Sequence, residues 1–136
     1  MEKDKIIIYC DGGSRGNPGP AAIGAVIGDK RYSESIGRAT NNVAEYRSVI
    51  FALKKAKHLL GKKRAEQTTL EIRVDSELLY KQLTGQYKIL NKDLQPLFIE
   101  IWNLKQDFNY VEFVHLNREK NKEADRLVNQ ALNTLI

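Results

Sequence analysis

The sequence has 136 residues, 42% hydrophobic and 29% charged, which is typical of one compact globular domain. This composition argues against a disordered tail or a collagen-like fibre, and no apolar run reaches the roughly 18 residues of a membrane-spanning helix. A single cysteine, Cys10, excludes an internal disulfide and favours a cytoplasmic location. The excess of 22 Lys and Arg over 17 Asp and Glu gives a net charge of +5, which permits a polyanionic partner.

Hydrophobic patterning predicts five strands, from short β-branched runs and from alternation of apolar and polar residues. These runs cover residues 6–10, 22–27, 31–36, 70–74 and 110–114. The second and third runs are joined by Gly28-Asp29-Lys30, a spacing that is typical of a hairpin.

Apolar residues at helical spacing predict four helices. They cover residues 43–60, 78–83 and 94–104, and a final stretch with the stripe Val128, Ala131, Leu132 and Leu135. Hairpin strands followed by helix-linked strands predict an α/β fold. We expect a five-stranded mixed sheet, with three antiparallel and two parallel strands, flanked by helices in a single domain over 1–136.

Four acidic residues occupy positions that are unusual for a solvated surface. Asp11 and Asp75 each follow a predicted strand, and parallel neighbours end at the same edge of a sheet, so their carboxylates are expected about 5 Å apart. Glu45 and Asp125 lie on or beside the inward faces of predicted helices. Carboxylates this close repel one another unless cations separate them, and oxygen ligands select Mg²⁺ or Mn²⁺. Two such ions can promote phosphodiester hydrolysis.

Each acid also has a structural interpretation when it is taken alone. Asp75 can cap the helix that follows it, and Glu45 stands three residues after Asn42, as in a capping box. Asp11 precedes two glycines and is a good turn former, whereas Asp125 can pair with a neighbouring lysine. The conjunction of all four acids at one predicted edge favours the metal site.

Four blocks of the sequence resemble ribonuclease H type 1, in the same order along the chain. They are Asp11-Gly12-Gly13-Ser14-Arg15-Gly16-Asn17-Pro18-Gly19-Pro20, Thr40-Asn41-Asn42-Val43-Ala44-Glu45, Val74-Asp75-Ser76, and His115 with Asn121-Lys122-Glu123-Ala124-Asp125. The resemblance implies the ribonuclease H-like fold and Mg²⁺-dependent endonucleolytic hydrolysis of the RNA strand of an RNA/DNA hybrid, leaving 5′-phosphate and 3′-hydroxyl ends. It implies two metal ions per site, with Mn²⁺ as a substitute, held by Asp11, Glu45, Asp75 and Asp125.

The resemblance also implies a set of substrate-binding residues. They are Gly13, Ser14 and Asn17 along the RNA strand, and Thr40, Asn41, Asn42 and Ser76 on the hybrid. Glycines let the backbone approach a sugar–phosphate chain, and asparagine amides can pair with base edges and 2′-hydroxyls. Ser76 is equally well explained as the first residue of a helix.

His115 lies ten residues before Asp125, which is the family spacing for a loop histidine that assists proton transfer. A pKa near neutrality suits that role, although a lone histidine at a strand end is also typical of a solvated residue. The loop that follows, residues 116–120, lacks the glycine that well-studied bacterial members carry there.

Residues 84–93 contain no tryptophan and only two lysines, whereas many family members carry a basic, tryptophan-containing protrusion at this place. The sequence therefore resembles a form of the enzyme without the protrusion. We expect an RNA/DNA hybrid as partner, with double-stranded RNA as a further candidate, a monomeric state and no membrane association. The alternatives are a non-catalytic or weakly catalytic module that binds hybrids or double-stranded RNA, and a nuclease for branched DNA.

Overall fold

The computed structural model describes residues 4–135, which form one five-stranded mixed sheet with helices packed on it. The strands are β1 (Asp4–Ser14), β2 (Gly19–Ile27), β3 (Lys30–Ala39), β4 (Thr68–Val74) and β5 (Tyr110–His115). Their spatial order is β3-β2-β1-β4-β5. The pairs β1–β2 and β2–β3 are antiparallel, whereas β1–β4 and β4–β5 are parallel, which confirms the predicted fold class.

Within residues 4–135, five α-helices connect or follow these strands. They are α1 (Asn41–Leu60), α2 (Lys62–Glu66), α3 (Glu77–Leu83), α4 (Gln95–Lys105) and α5 (Lys122–Asn133), with a 3₁₀ turn at Arg118–Lys120. The sequence did not predict α2, because a five-residue helix with one buried side chain, Ala65, shows no periodicity. None of the helices in residues 4–135 is long and apolar enough to cross a lipid bilayer.

Two apolar clusters hold the helices on the sheet. The larger one joins α1 to the central strands through side chains that include Ile8, Val49, Leu53 and Ile72, all fully buried. The smaller one joins the apolar stripe of α5 to Ala22 of β2. Three residues of the predicted stripe, Val128, Ala131 and Leu132, therefore pack on the sheet, whereas Leu135 lies beyond the end of α5 and is exposed.

The predicted end of the first strand at Cys10 is wrong, because β1 continues to Ser14. Its pairing with β4 reaches only Tyr9, whereas its pairing with β2 continues through both glycines that follow Asp11. A Cβ atom at Gly12 would lie 2.1 Å from the carbonyl oxygen of Ala44 in α1. The glycine therefore permits a close approach of helix and strand and does not form a turn.

A second glycine has the same role beneath α5. A Cβ atom at Gly24 of β2 would lie 2.4 Å from the carbonyl oxygen of Ala124. Because Gly24 pairs with Asp11, the two close approaches occur side by side at the centre of the sheet. They bring the first turns of α1 and α5 close to the acidic end of β1.

Candidate active site

Three carboxylates from three elements meet where β1 and β4 stop pairing. Asp11 comes from β1, Glu45 from α1, and Asp75 from the residue after β4. One oxygen of each carboxylate lies within 4.8 Å of the others. This confirms the expected proximity of Asp11 and Asp75, and it adds the acid on α1 to the same cluster.

The fourth acid, Asp125, lies in the first turn of α5 and lines the same cavity, which has a volume of about 190 Å³. After burial and the charge of Asp75, the charge of Asp125 is a further cause of the raised pKa of Asp11. The Nδ2 of Asn129 donates to Oδ2 of Asp125 at 3.5 Å, one helical turn further on. The structure therefore brings all four predicted acids to one cavity.

Burial and mutual repulsion change the ionisation of this cluster. Asp11 is only 6% exposed and Glu45 only 7%. Burial, followed by the charges of Asp75 and Asp125, raises the pKa of Asp11 to about 8. Burial and the charges of Asp11 and Asp75 raise the pKa of Glu45 well above its usual range, while a hydrogen bond from the backbone N–H of Gly12 acts in the opposite direction.

The donor set fits a hard divalent cation. It consists of carboxylate oxygens, and the neighbouring thiol of Cys10 is fully buried in the apolar core. Oxygen-only sites favour Mg²⁺ or Mn²⁺ over zinc. Added positive charge would relieve the repulsion that raises the pKa values of Asp11 and Glu45, so these residues together with Asp75 can hold such an ion.

The capping interpretations of Glu45 and Asp75 are wrong, because other side chains cap the two helices. Thr40 caps α1, and its Oγ1 accepts a hydrogen bond from the backbone N–H of Val43 at 3.2 Å. Ser76 caps α3, and its Oγ accepts from the backbone N–H of Leu79 at 3.1 Å. Both capping residues are candidate substrate contacts from the sequence, and each lies beside the cavity at a helix N-terminus.

The end of β1, the loop that follows it and the start of α1 form one hydrogen-bonded rim of the cavity. The backbone N–H of Ser14 donates to Oδ1 of Asn41 at 3.4 Å, and the backbone N–H of Asn41 donates to Oδ1 of Asn17 at 3.0 Å. Gly13, Ser14 and Asn41 line the acidic cavity itself. Asn42 is exposed in the same first turn of α1, so the rim presents amide groups beside the carboxylates.

His115 ends β5 and is exposed beside the cluster. Its Nε2 lies 3.3 Å from the backbone oxygen of Asp75, and its ring stacks on Tyr80 with a centroid separation of 5.7 Å. Within residues 4–135, the lining of the acidic cavity does not include this histidine. The structure therefore places His115 next to one of the acids and outside their cavity.

Two residues to which the sequence analysis gave no role complete the site. Arg118 lines the cavity, and its charge lowers the pKa of Glu45 against the other effects. Asn121 is buried, and its Nδ2 donates to Oδ2 of Asp75 at 2.9 Å. Arg118 is hidden in a run of charged residues, whereas Asn121, four residues before Asp125, could have been recognised as the residue that precedes α5.

A larger groove of about 460 Å³ lies between α4 and β5. Its lining is mainly aromatic and aliphatic, with Phe98, Trp102 and Phe113 among its side chains. It shares no lining residue with the acidic cavity. The cluster of carboxylates makes the smaller cavity the candidate active site.

Residues 9–131 match the model of a family described as reverse transcriptase-like. The sequence is 40% identical over 134 residues to ribonuclease HI of Halobacterium salinarum, covering 94% of this chain and 64% of that protein. It is 39% identical to a bifunctional protein of Mycobacterium tuberculosis, covering 94% of this chain but only 35% of that protein. The chain thus spans about a third of the length of its mycobacterial relative.

The fold is similar to that of LC11-RNase H1, which was isolated from compost by a metagenomic approach. The TM-score is 0.89 at 45% sequence identity, covering 96% of this chain and 97% of the other. LC11-RNase H1 has also been crystallised in complex with an RNA/DNA hybrid, and that structure matches with a TM-score of 0.89 at 44% identity over 95% of this chain and 97% of the other. The chain therefore belongs to the ribonuclease H type 1 branch of the reverse transcriptase-like family.

Proposed function

We propose that this chain is a metal-dependent endoribonuclease that hydrolyses the RNA strand of RNA/DNA hybrids and leaves 5′-phosphate and 3′-hydroxyl ends. The observation that carries the proposal is the buried cluster of Asp11, Glu45 and Asp75 within 4.8 Å. Further support comes from LC11-RNase H1, a similar protein with a structure in complex with an RNA/DNA hybrid.

Four carboxylates would hold two Mg²⁺ ions, with Mn²⁺ as a substitute. Asp11 would be shared between the ions, Glu45 and Asp75 would bind one of them, and Asp125 the other. When bound, such ions lower the pKa of a water molecule and offset the negative charge of a phosphate. The clustered acids gather enough negative charge in one place to compete with water for these ions.

The rim residues would orient the hybrid over the carboxylates. Gly13, Ser14 and Asn17 would follow the RNA strand, and Asn41 and Asn42 would offer amide groups to base edges and 2′-hydroxyls. The rim places these groups next to the acids, which supports this assignment.

The two capping hydroxyls can also contribute to substrate binding. Thr40 and Ser76 use their oxygen lone pairs to accept hydrogen bonds from helix N–H groups, so each hydroxyl proton remains able to donate. A phosphate or a 2′-hydroxyl at these helix N-termini would accept such a bond, and the local backbone N–H groups favour an anion there.

His115 would assist proton transfer to the leaving oxygen, with its ring oriented by Tyr80 and the backbone oxygen of Asp75. We expect His115→Ala to lower kcat by about 10- to 100-fold. Binding of Mn²⁺, measured by titration calorimetry, should stay unchanged because the imidazole lies outside the acidic cavity. An unchanged kcat would reject this role.

The remaining parts of the proposal concern the state of the protein. A single catalytic domain is supported by the one continuous sheet over residues 4–135. A monomeric state, a cytoplasmic location and double-stranded RNA as a further binding partner are also parts of the proposal, to be tested by sedimentation, fractionation and binding assays.

Cleavage of four labelled substrates tests the function directly. The substrates are an RNA/DNA hybrid, double-stranded RNA, single-stranded RNA and branched DNA, each with Mg²⁺ or Mn²⁺. Wild type is compared with Asp75→Asn and with the matched control Asp107→Asn. The control makes the same chemical change at a residue that pairs with Lys57 and does not line the acidic cavity. We expect RNA-strand cleavage of the hybrid by wild type and Asp107→Asn only.

Other outcomes would replace the proposal. Tight binding of the hybrid without any cleavage would indicate a binding module, and preferential cleavage of branched DNA would indicate a different nuclease. Equal cleavage by wild type and Asp75→Asn would remove the acidic cluster from the mechanism.

A further inference from the structure

Asn121 is the least exposed polar residue at the candidate active site, with 1% of its surface accessible. It follows the 3₁₀ turn and immediately precedes α5. Its Nδ2 group donates two hydrogen bonds, one to the carbonyl oxygen of Cys10 and one to Oδ2 of Asp75, each at 2.9 Å. A single side-chain amide therefore connects the end of the β1–β4 pairing with the start of α5.

The two acceptors fix the orientation of this amide. If the amide were turned over, Oδ1 would face a carbonyl oxygen and a carboxylate oxygen at hydrogen-bond distance, which is repulsive. In the orientation that the structure adopts, Oδ1 is buried and has no hydrogen-bond partner among residues 4–135. Such an unpaired buried atom is unfavourable and rare in native proteins. The observed orientation of the amide therefore leaves Oδ1 unpaired and directs both N–H groups of Nδ2 to Asp75 and Cys10.

Asn121 is connected to three of the four acids. It binds the carboxylate of Asp75 directly, and it binds the carbonyl group of the peptide bond that leads into Asp11. Its own backbone oxygen accepts a hydrogen bond from the backbone N–H of Asp125 at 3.1 Å. The side chain itself links the carboxylate of Asp75 to the backbone next to Asp11, so a change in its position would alter the placement of Asp75 relative to Asp11.

We propose that Asn121 is a positioning residue that sets the affinity of the acidic cluster for its divalent ion by holding the carboxylate of Asp75. This inference rests on the proposed function, since it requires Asp75 to be a metal ligand. The hydrogen bond to Oδ2 fixes the plane of the carboxylate and leaves its second oxygen available to an ion. Residues that orient metal ligands in this way typically change metal affinity or activity by about 10- to 100-fold when they are replaced.

The test uses Asn121→Leu, which keeps the branching of the side chain at Cγ but removes the donor, and Asn121→Ala, which is smaller, as a second variant. The matched control is Thr68→Val. Thr68 is fully buried at the opposite end of β4, and its Oγ1 donates to the backbone oxygen of Arg64 at 2.7 Å, so this variant also removes a buried hydrogen bond. Binding of Mn²⁺ to each free protein is measured by titration calorimetry, and cleavage of the hybrid is measured as a function of Mg²⁺ concentration.

We expect Asn121→Leu to weaken Mn²⁺ binding by about 10- to 100-fold and to raise the half-saturating Mg²⁺ concentration by a similar factor. The KM for the hybrid should stay within about twofold, and high Mg²⁺ should restore most of kcat, because the substrate contacts are untouched. Thr68→Val should bind Mn²⁺ as wild type does. Unaltered Mn²⁺ binding by the Asn121 variants, or an equal loss in Thr68→Val, would overturn the inference.

A measurement on the wild-type protein covers the case in which neither variant folds. The side-chain NH₂ resonances of Asn121 should shift when Mg²⁺ is titrated into the ¹⁵N-labelled protein. Those of Gln82, which is also buried and hydrogen-bonded, serve as the control and should not shift. Equal behaviour of the two amides would contradict the role of Asn121.

Mn²⁺ binding and hybrid cleavage by Asp75→Asn distinguish a failure of the proposed function from a failure of the positioning role of Asn121. If Asp75→Asn binds Mn²⁺ and cleaves as wild type does, the proposed function fails at its metal ligand. If it loses both while the Asn121 variants keep both, only the positioning role fails.

Discussion

Two glutamates, one on the first helix and one on the sheet, are buried to a similar extent, and their pKa values are shifted in opposite directions. Glu45 is 7% exposed and Glu71 is 8% exposed. Hydrogen bonds from Lys5 and Arg73, at 2.9 and 2.6 Å, lower the pKa of Glu71. At Glu45, burial and the charges of Asp11 and Asp75 raise the pKa, and the opposing charge of Arg118 is a smaller effect. Burial is therefore the largest cause of the shift at Glu45, whereas hydrogen bonds from two cations outweigh burial at Glu71.

The charged partners of the carboxylates change from one end of β4 to the other. Glu71, Arg73 and Asp75 alternate along the chain, so they lie in a row on one face of the sheet. At the Glu71 end, the chain supplies its own cations, and Arg73 also binds the hydroxyl of Tyr9 at 2.6 Å. At the Asp75 end, the partner of the carboxylate is the neutral amide of Asn121. Four carboxylates and two arginines, Arg15 and Arg118, line the acidic cavity, so the fold leaves a net negative charge where an external cation would bind.

The largest expected effect comes from moving Glu45 out of the cluster. Gly12→Ala would place a methyl group 2.1 Å from the carbonyl oxygen of Ala44 and force α1 away from β1. We expect a loss of about 3 kcal/mol or more in the free energy of unfolding, measured in urea. Gly13→Ala is the control, because its Cβ would meet no atom closer than 3.4 Å, and it should change stability by less than about 1 kcal/mol. Similar losses for both variants would contradict the close approach.

Glu45→Gln keeps the shape of the side chain and removes its charge. We expect cleavage of the hybrid to fall by more than about 100-fold, because a metal ligand is lost. The metal-free protein should become more stable at pH 9, since repulsion with Asp11 and Asp75 is relieved. Thermal unfolding in EDTA measures this change, and a less stable variant at pH 9 would show that the wild-type acids do not repel one another.

The metal-free protein should lose stability as the pH rises from about 5 to about 8. The pKa of Asp11 is about 8 in the folded protein against an ordinary value of 3.8, so the folded state binds more protons in this window than the unfolded state. Mg²⁺ should raise Tm more at pH 8 than at pH 5, because it replaces those protons. Scanning calorimetry with EDTA or Mg²⁺ tests this, with a smaller pH dependence expected in Glu45→Gln. A Tm in EDTA that rises across this window would contradict it.

The smallest effect is expected at the other glutamate. Glu71→Gln should lower the free energy of unfolding at pH 7 by about 1 kcal/mol and leave cleavage unchanged. Because the pKa of Glu71 is lowered by folding, its contribution is present above an ordinary value of 4.5 and lost as the pH falls through the lower folded value. The free energies of unfolding of wild type and Glu71→Gln should therefore become equal at acid pH. A persistent difference at pH 2 would indicate that the lost contacts are not ionic.

The sheet and its order could be predicted from the sequence because their signals are local. Alternation over 70–74 identified the core of β4, and helical spacing over 43–60 identified most of α1. The end of β1 could not be predicted in this way. Gly12 resembles a turn residue until it is known that α1 crosses above it, and that contact joins residues 32 positions apart.

Local sequence signals also predict only part of the candidate site. The proximity of Asp11 and Asp75 followed from the predicted parallel strands, and the structure confirms it. The contacts of Asn121 with Cys10 and Asp75 span 111 and 46 residues, and its polar side chain adds nothing to the apolar pattern of α5. Its role therefore depends on tertiary contacts that have no counterpart in the local sequence.

The two glycines beneath the helices determine how closely α1 and α5 approach the sheet. Gly12 lies under the carbonyl group of Ala44, and Gly24 lies under that of Ala124. In each helix the next residue is an acid of the cluster, Glu45 or Asp125. Both helices therefore pack directly on the sheet backbone, without the two methyl groups that any other residues would insert, and this close packing positions the two acids at the cavity. A chain that gained one of these methyl groups would keep every carboxylate and still hold them at the wrong spacing.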